Sequence, residues 1–288
     1  MVLERNLVLG NRYNCCNFVV IIKRLHYRNI YKLGISKEIM EVQFKGIPLI
    51  KNIPIYNFLI GDFGKERIEE YNSVVKSKYK DNSNLRVLNF KDGVVKGSND
   101  YAIFLMNDIL SKYGLRTANP ADAQKIIDND EKFLRGVCVD LGVVLRNENS
   151  PNEYLARKLS KQAKERKYKF SNSNPLVFKP SDLELIVDSD SSFGLGFKIR
   201  DSASPFNASE LNNKNCGKKF KNTNMNGVPI FNKNGDRTNY TIENGLSRFF
   251  LDRGSGLYSK GGSLVVSYDD DRVVVWDDAK SVSLEDIK

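Results

Sequence analysis

The chain has 288 residues, of which 41% are hydrophobic and 28% charged, and its formal net charge at pH 7 is +10. These proportions are typical of folded proteins, so they exclude a wholly disordered chain, and the length allows one large domain or two ordinary ones. The longest apolar run near the N-terminus, residues 18–22, is far shorter than the roughly 18 residues that a membrane-spanning helix needs, so we expect a soluble, cytoplasmic protein without membrane contact.

Residue counts disfavour two kinds of catalytic chemistry. The chain has one histidine, His26, so it cannot build a two-histidine metal site, and no Gly-x-Ser-x-Gly motif marks a nucleophilic serine. The cysteines lack the Cys-x-x-Cys spacing of metal and redox motifs, which indicates reduced thiols. They are Cys15, Cys16, Cys138 and Cys216.

The positive charge leaves two explanations open. An excess of lysine and arginine attracts polyanions, so nucleic acid or another polyanion is a candidate partner. A sequence rich in lysine, asparagine and isoleucine is also what an AT-rich genome encodes without selection for binding. Charge alone does not separate these explanations.

Residues 1–82 form the first predicted unit, a basic module with β-leaning sequence. Residues 18–22 resemble a buried strand, and Arg24 and Arg28 follow among aromatic side chains. Cations interleaved with aromatics can neutralise and stack nucleic acid, although an ordinary amphipathic surface has the same composition. Residues 64–80 are compatible with a helix, and the polar stretch 76–84 is a candidate linker.

The next segment carries clear local signals. Asp92 and Gly93 lie between two β-rich runs and predict a tight hairpin, since its turn needs positive φ. Either Ser98 or Asn99 can cap the apolar helical pattern that follows them. Asn119 and Pro120 predict the start of a second helix, because proline is tolerated at the first helical position.

Residues 136–145 predict a central strand that contains one charged residue, Asp140. A buried carboxylate needs a partner. Asp140 can either point into a functional site or accept hydrogen bonds from the backbone or an arginine. The sequence leaves both alternatives open.

A strongly basic helix is predicted after this strand. Ser150, Pro151 and Glu153 have the order of a capping box, and the helical pattern continues to about residue 167. Its cations could lie along a phosphate backbone, or they could form the solvated face of an amphipathic helix. The candidate nucleic-acid-binding residues on this helix are Arg157, Lys158, Lys161 and Lys164.

From residue 175 the pattern changes to β. The candidate strands are 176–178, 183–187, 193–199, 246–251, 264–268 and 272–276. Residues 202–227 predict a long surface loop, and Asn234-Gly235 predicts a second hairpin. The glycine-rich stretch 254–263 lacks the residue order of a phosphate-binding loop, so we interpret it as a connection between strands.

An aspartate cluster is the candidate metal site. Asp269, Asp270 and Asp271 could bind a divalent cation together with Asp140, which would suit a metal-dependent hydrolase or nuclease. Adjacent aspartates in a turn more often cap backbone N–H groups. No other cofactor is indicated.

Four short runs resemble a group of uncharacterised archaeal proteins. They are residues 133–136, 139–145, 244–248 and 271–275. The resemblance covers roughly residues 110–276 and implies no activity, because none is attached to that group.

Together these patterns predict an α+β fold. We expect a main domain over residues 83–288, with helices between 98 and 168 and a mainly antiparallel sheet between 175 and 276. The favoured function is a nucleic-acid-associated binding module. The alternatives are the metal-dependent hydrolase or nuclease and a structural or partner-binding protein without catalysis, so whether the protein is an enzyme stays open.

Overall fold

The computed structural model describes residues 56–279. This range contains four α-helices, α1 (Gly61–Lys78), α2 (Asp100–Ser111), α3 (Pro120–Asn129) and α4 (Glu153–Glu165). None of these helices is long and apolar enough to cross a membrane.

The strands of the described range form four sheets. They are β1 (Tyr56–Phe58), β2 (Asn89–Lys91), β3 (Val94–Lys96), β4 (Arg116–Thr117), β5 (Val139–Leu145), β6 (Leu176–Phe178), β7 (Leu183–Val187), β8 (Leu195–Ile199), β9 (Phe206–Asn207), β10 (Lys219–Thr223), β11 (Pro229–Phe231), β12 (Arg237–Thr241), β13 (Leu246–Leu251), β14 (Leu257–Ser259) and β15 (Val274–Trp276). The largest sheet has eight strands in the order β11-β10-β12-β14-β13-β5-β6-β9. A three-stranded sheet has the order β1-β15-β4, and β2-β3 and β7-β8 form two hairpins.

The predicted α+β class is confirmed. Within the described range, neighbouring strands pair antiparallel everywhere except between β12 and β14, which are parallel. The helices α2, α3 and α4 lie in the middle of the chain, as expected, and most of the sheet follows them.

Strand β5 separates two hydrophobic cores, because both of its faces are buried. Val139 and Leu141 pack into one core, whereas Val143 and Leu145 pack into the other. The change of face occurs at Gly142, whose φ is +137° and whose Cβ position would lie 2.1 Å from the Phe178 carbonyl oxygen. Glycine therefore lets the strand switch faces and lets β6 approach closely.

Residues 56–82, which we expected in the N-terminal module, pack with the main domain. Ile68, Tyr71 and Val75 of α1 belong to the same buried core as Phe104 of α2. The compact unit that contains them begins at Ile55. The rest of the predicted module, with Arg24 and Arg28, lies outside the described residues.

The turn at Asp92-Gly93 and the starts of α2 and α3 were predicted correctly. Asp92 and Gly93 have φ values of 55° and 78° in the turn between β2 and β3. The Asn99 side chain accepts a hydrogen bond of 2.8 Å from the backbone N–H of Ala102 at the start of α2. Asn119 caps α3 in a complete capping box with Asp122.

The capping box predicted at the start of α4 was wrong. The helix begins after Asn152, which has a φ of 58° and makes no side-chain cap hydrogen bond. Its amide instead donates to the carbonyl oxygens of Leu246 and Gly262, each at 2.7 Å. Contacts with distant backbone therefore fix this helix end, in place of the Ser150 hydroxyl.

Three predictions in the C-terminal half were also wrong. Asn234-Gly235 does not join a hairpin: β10 pairs with β11 on one side and with β12 on the other. Strand β10 lies inside the predicted long loop, and its Phe220 is completely buried. Residues 264–268 form no strand, and β14 at Leu257–Ser259 supplies the neighbour of β13 instead.

Candidate functional site

A buried ionic cluster surrounds Arg248 of β13. The Arg248 Nη2 atom lies 2.6 Å from Asp140 Oδ1, and Arg248 Nε lies 3.4 Å from Asp100 Oδ2. Asp271 Oδ2 lies 4.0 Å from Arg248 Nη2. Ser98 Oγ donates a further hydrogen bond of 2.7 Å to Asp140. Of the four aspartates proposed for a metal site, the structure therefore brings Asp140 and Asp271 together, around an arginine.

Burial and mutual repulsion disfavour the ionised form of two carboxylates in this cluster. The exposed fractions of Asp100, Asp140 and Asp271 are 0%, 2% and 1%. Burial, followed by the charge of Asp140, raises the pKa of Asp100 well above its ordinary value and that of Asp271 to about 7. Burial alone would lower the pKa of Arg248, but the charges of Asp140 and Asp100 outweigh it and raise this pKa.

The other two predicted aspartates point elsewhere. Asp269 is exposed, and its backbone carbonyl accepts a hydrogen bond from Arg272. Asp270 forms an ion pair with Arg253, whose Nη2 atom lies 2.7 Å from Asp270 Oδ1. This divergence follows from chain geometry, because Asp269 and Asp270 are the central residues of a turn that the Asp271 N–H closes by donating to the Tyr268 carbonyl at 3.0 Å.

One group of side chains has the spacing of a metal site. A ligand atom of each of Cys138, Asp270 and Asp271 lies within 4.8 Å of the other two. Sulfur and carboxylate ligands together suit a zinc-like divalent cation. Burial and the charge of Asp270 raise the pKa of the Cys138 thiol to about 12, so a metal would have to displace its proton.

The four predicted cations of α4 lie on one exposed face, but they differ in their partners. Arg157 pairs with Glu153 at 2.5 Å, and Lys164 pairs with Glu148 at 2.5 Å. The Lys158 ammonium lies 5.2 Å from the centre of the Tyr154 ring. Lys161 has no ion-pair partner among residues 56–279. Exposed ion pairs are weak, so the paired cations of this face can still exchange their carboxylate partners for phosphate groups.

An open cleft of about 660 Å³ lies beside this face. It is lined by residues 146–149 after β5, by Ser160 and Lys164 of α4, and by residues 168–172. Lys164 therefore belongs both to the basic face and to the cleft wall. Tyr168 and Phe170 contribute half-buried rings, and Lys169 between them is exposed.

Arg146 is a lining residue whose positive charge is buried among residues that lie outside the cleft lining. It is completely buried, and no carboxylate in the described part of the chain pairs with it. Its guanidinium donates to Ser247 Oγ at 2.9 Å and to the Leu211 carbonyl at 3.0 Å. Burial lowers its pKa to about 10, so it stays charged at neutral pH.

Three asparagine amides form a connected network at the cleft. Asn147 Nδ2 donates to Asn172 Oδ1 at 2.9 Å and to Asn244 Oδ1 at 2.7 Å. Asn172 Nδ2 donates to Asn244 Oδ1 at 3.0 Å. The Asn147 carbonyl oxygen in turn accepts from the backbone N–H groups of Gly245 and Asn149. The network fixes the orientation of each amide.

Sequence reasoning identified the basic helix but missed the cleft. Tyr168, Lys169 and Phe170 alternate aromatic and cationic residues, which is the signal noted around Arg24 and Arg28 and which could have drawn attention here. Arg146 and Asn147 carry no local signal, since their role depends on partners far away in the chain. Asp100, Arg248 and Cys138 were missed for the same reason.

Comparisons with known proteins do not place the chain in a family. No protein-family model, no curated protein and no solved structure matches it. The resemblance of roughly residues 110–276 to archaeal proteins therefore stays a prediction.

Proposed function

We propose that the protein binds nucleic acid through the basic face of α4 and the cleft beside it. The observation that carries this proposal is their adjacency: Lys164 belongs to the helix face that also bears Lys161, and it lines a cleft of about 660 Å³. A positively charged surface that continues into a cleft can follow a phosphate backbone.

The charge of the cleft supports an anionic ligand. The exposed Lys164 and Lys169 line it, the buried Arg146 lies behind its surface, and Glu148 is the one acidic side chain among the described residues that line it. The Glu148 carboxylate accepts hydrogen bonds from Lys164 and Ser160, at 2.5 and 2.9 Å, which satisfies its charge locally. The lining therefore carries net positive charge, which a phosphate would neutralise.

The metal-dependent hydrolase has less support from the geometry. A catalytic metal must contact substrate, but the carboxylates that converge around Arg248 are almost completely buried. The guanidinium of Arg248 also occupies the position between them, where its positive charge repels a cation. The Cys138, Asp270 and Asp271 group retains metal-like spacing but includes an aspartate paired with Arg253.

A salt titration tests the proposal. Binding of a fluorescent oligonucleotide, followed by anisotropy, should weaken steeply between low and physiological salt, because bound phosphates release counterions. The variants Lys161→Ala and Lys169→Ala should each reduce the slope of log K against log salt by about 1 if each lysine contacts one phosphate.

The variant Lys76→Ala is the matched control, because Lys76 is an exposed lysine near the end of a different helix, α1. It should leave both affinity and slope unchanged. Binding that is insensitive to salt, or that responds equally to all three substitutions, would contradict an interface on α4.

A further inference from the structure

The cleft beside α4 has the chemistry to hold one nucleotide whose base is not paired. Resting on the proposed function, we infer that the ligand is single-stranded nucleic acid and that the cleft accommodates one of its bases. The volume of about 660 Å³ lies within the roughly 300–1,000 Å³ of small-ligand pockets.

The amide network leaves hydrogen-bonding capacity at one residue. Asn147 uses both amide hydrogens and accepts two hydrogen bonds at its carbonyl oxygen. Asn172 donates one amide hydrogen and accepts one hydrogen bond, so one N–H and one lone pair have no partner within residues 56–279. An oriented amide with an adjacent donor and acceptor is the group that pairs with the edge of a nucleobase.

Aromatic and cationic groups lie beside this amide. Phe170 and Tyr168 line the same cleft, and the Tyr168 hydroxyl donates to the Ala203 carbonyl at 3.1 Å, which anchors its ring. Aromatic rings stack on bases of any sequence, whereas Lys169 and Lys164 can neutralise the flanking phosphates. The aromatic rings suit the face of a base, the Asn172 amide suits its edge, and the lysines suit the phosphates on either side.

A duplex cannot use this cleft without disruption. Its base faces are stacked and its pairing edges are occupied, so a base would first have to leave the helix at a cost in unstacking and unpairing. An unpaired strand meets no such cost. The cleft should therefore discriminate by strandedness, whereas the cationic face of α4 alone would bind both forms by their phosphates.

The test compares probes that carry the same backbone charge per strand. A labelled single strand, as DNA and as RNA, is compared by anisotropy with its duplex and with an abasic strand of the same length. We expect the unmodified strand to bind at least about tenfold more tightly than the abasic strand or the duplex, since stacking contributes that much per base. The DNA and RNA arms distinguish the two natural sources of such a strand.

Two variants test whether the preference for a single strand arises in the cleft. Asn172→Ala and Phe170→Leu should lower affinity for the single strand toward that for the abasic strand, and neither should change duplex binding. Lys161→Ala should weaken every probe. Because Phe170 also packs against the buried core, the melting temperature of each variant is measured, and Asn172→Ala decides the outcome if Phe170→Leu does not fold.

The failures of the two proposals are distinguishable. Equal binding of all probes, or preference for the duplex, with the lysine dependence intact would overturn base recognition and leave the proposed function standing. A normal single-strand preference in Asn172→Ala would also overturn the role of the cleft. Absence of binding to every probe would remove the proposed function itself, and base recognition with it.

Discussion

At the scale of single residues, Arg248 lies among more negative charge than one guanidinium can neutralise. Asp140 and Asp100 lie within ion-pair distance, and Asp271 lies at 4.0 Å. An ion pair at this depth is a weak source of net stability, because removing both charges from water costs about as much as their attraction returns. Removing one partner is costly, because the remaining charges stay buried.

Substitution of Arg248 should therefore be strongly destabilising. Arg248→Met keeps much of the side-chain volume but leaves the carboxylates without a counter-ion, and we expect a loss of roughly 3–5 kcal/mol in the free energy of unfolding. Urea denaturation measures this value. Adding Asp140→Asn should restore part of the stability, because it removes one of the uncompensated charges.

Arg253→Met is the matched control, since Arg253 also pairs with an aspartate but its side chain is 64% exposed. Its unfolding midpoint should change little, because an exposed ion pair is screened by water. Equal effects of the two methionine variants would contradict the importance of burial.

The same cluster predicts a dependence of stability on pH. Burial and the charge of Asp140 raise the pKa of Asp271 from an ordinary 3.8 to about 7, so the folded protein holds this proton more tightly than the unfolded chain. The resulting stabilisation is fully present below about pH 3.8 and is lost as the pH rises through about 7. Asp140, Arg248 and Asp270 are the charged groups that act on this pKa: the two aspartates raise it and Arg248 lowers it.

Asp271→Asn isolates this contribution, because asparagine does not titrate and its carbonyl oxygen can still accept the hydrogen bond from Tyr268 N–H. Between about pH 5 and pH 8 the wild type should lose more stability than the variant, as measured by thermal unfolding in matched buffers. Parallel pH profiles would contradict titration of Asp271 in this range.

At the scale of elements, the sequence signals that predicted a turn or helix end correctly act on nearby residues, whereas those that failed were overridden by contacts with residues far away in the chain. Asn99, Asn119 and the Asp92-Gly93 turn act on backbone within three residues, so the sequence contains everything needed to predict them. The start of α4 could not be predicted, because Asn152 contacts backbone 94 and 110 residues away. Asn234-Gly235 has the residues of a hairpin turn, but the alternative pairing of β10 with both neighbours prevails.

Strand β5 allows a test of close packing between elements. Gly142→Ala would place a methyl group 2.1 Å from the Phe178 carbonyl oxygen at a φ of +137°, so β6 would have to move. We expect a loss of roughly 2–5 kcal/mol in the free energy of unfolding, or failure to fold.

Gly136→Ala separates crowding from backbone strain. Gly136 also has a positive φ, of +82°, but no atom lies within 4 Å of its Cβ position. Its substitution should cost only about 1–2 kcal/mol, the penalty of a left-handed conformation. Similar losses in both variants would show that contact with β6 is unimportant.

At the scale of the whole molecule, composition and periodicity predict the α+β class, because the fold class depends on averages over many residues. The candidate site depends on individual long-range pairs. Arg248 meets Asp140 across 108 residues, and Asn147 meets Asn244 across 97. A single sequence contains no measure of such proximity, so the ionic cluster and the cleft became visible only in the fold.

The three-stranded sheet joins the two ends of the described range. Tyr56 lies opposite Trp276, and the backbone N–H of Leu59 donates to the Val273 carbonyl at 3.2 Å. A chain ending after Arg272 would lack β15, which pairs with both β1 and β4. We expect this chain to lose a cooperative thermal transition, whereas one ending after Ala279 should keep it, as calorimetry would show.

The pairing of β1 with β15 also determines when β1 can become buried during protein synthesis. Strand β1 is made early and β15 late, so every intervening element leaves the exit tunnel before β1 can meet its partner. Until then the apolar faces of Tyr56 and Phe58 have no strand to cover them, and a nascent chain would be a substrate for chaperones that hold exposed hydrophobic segments. Slow translation of the last third of the message would prolong that exposure, and the yield of native protein would then depend on codon usage far from the strand at risk.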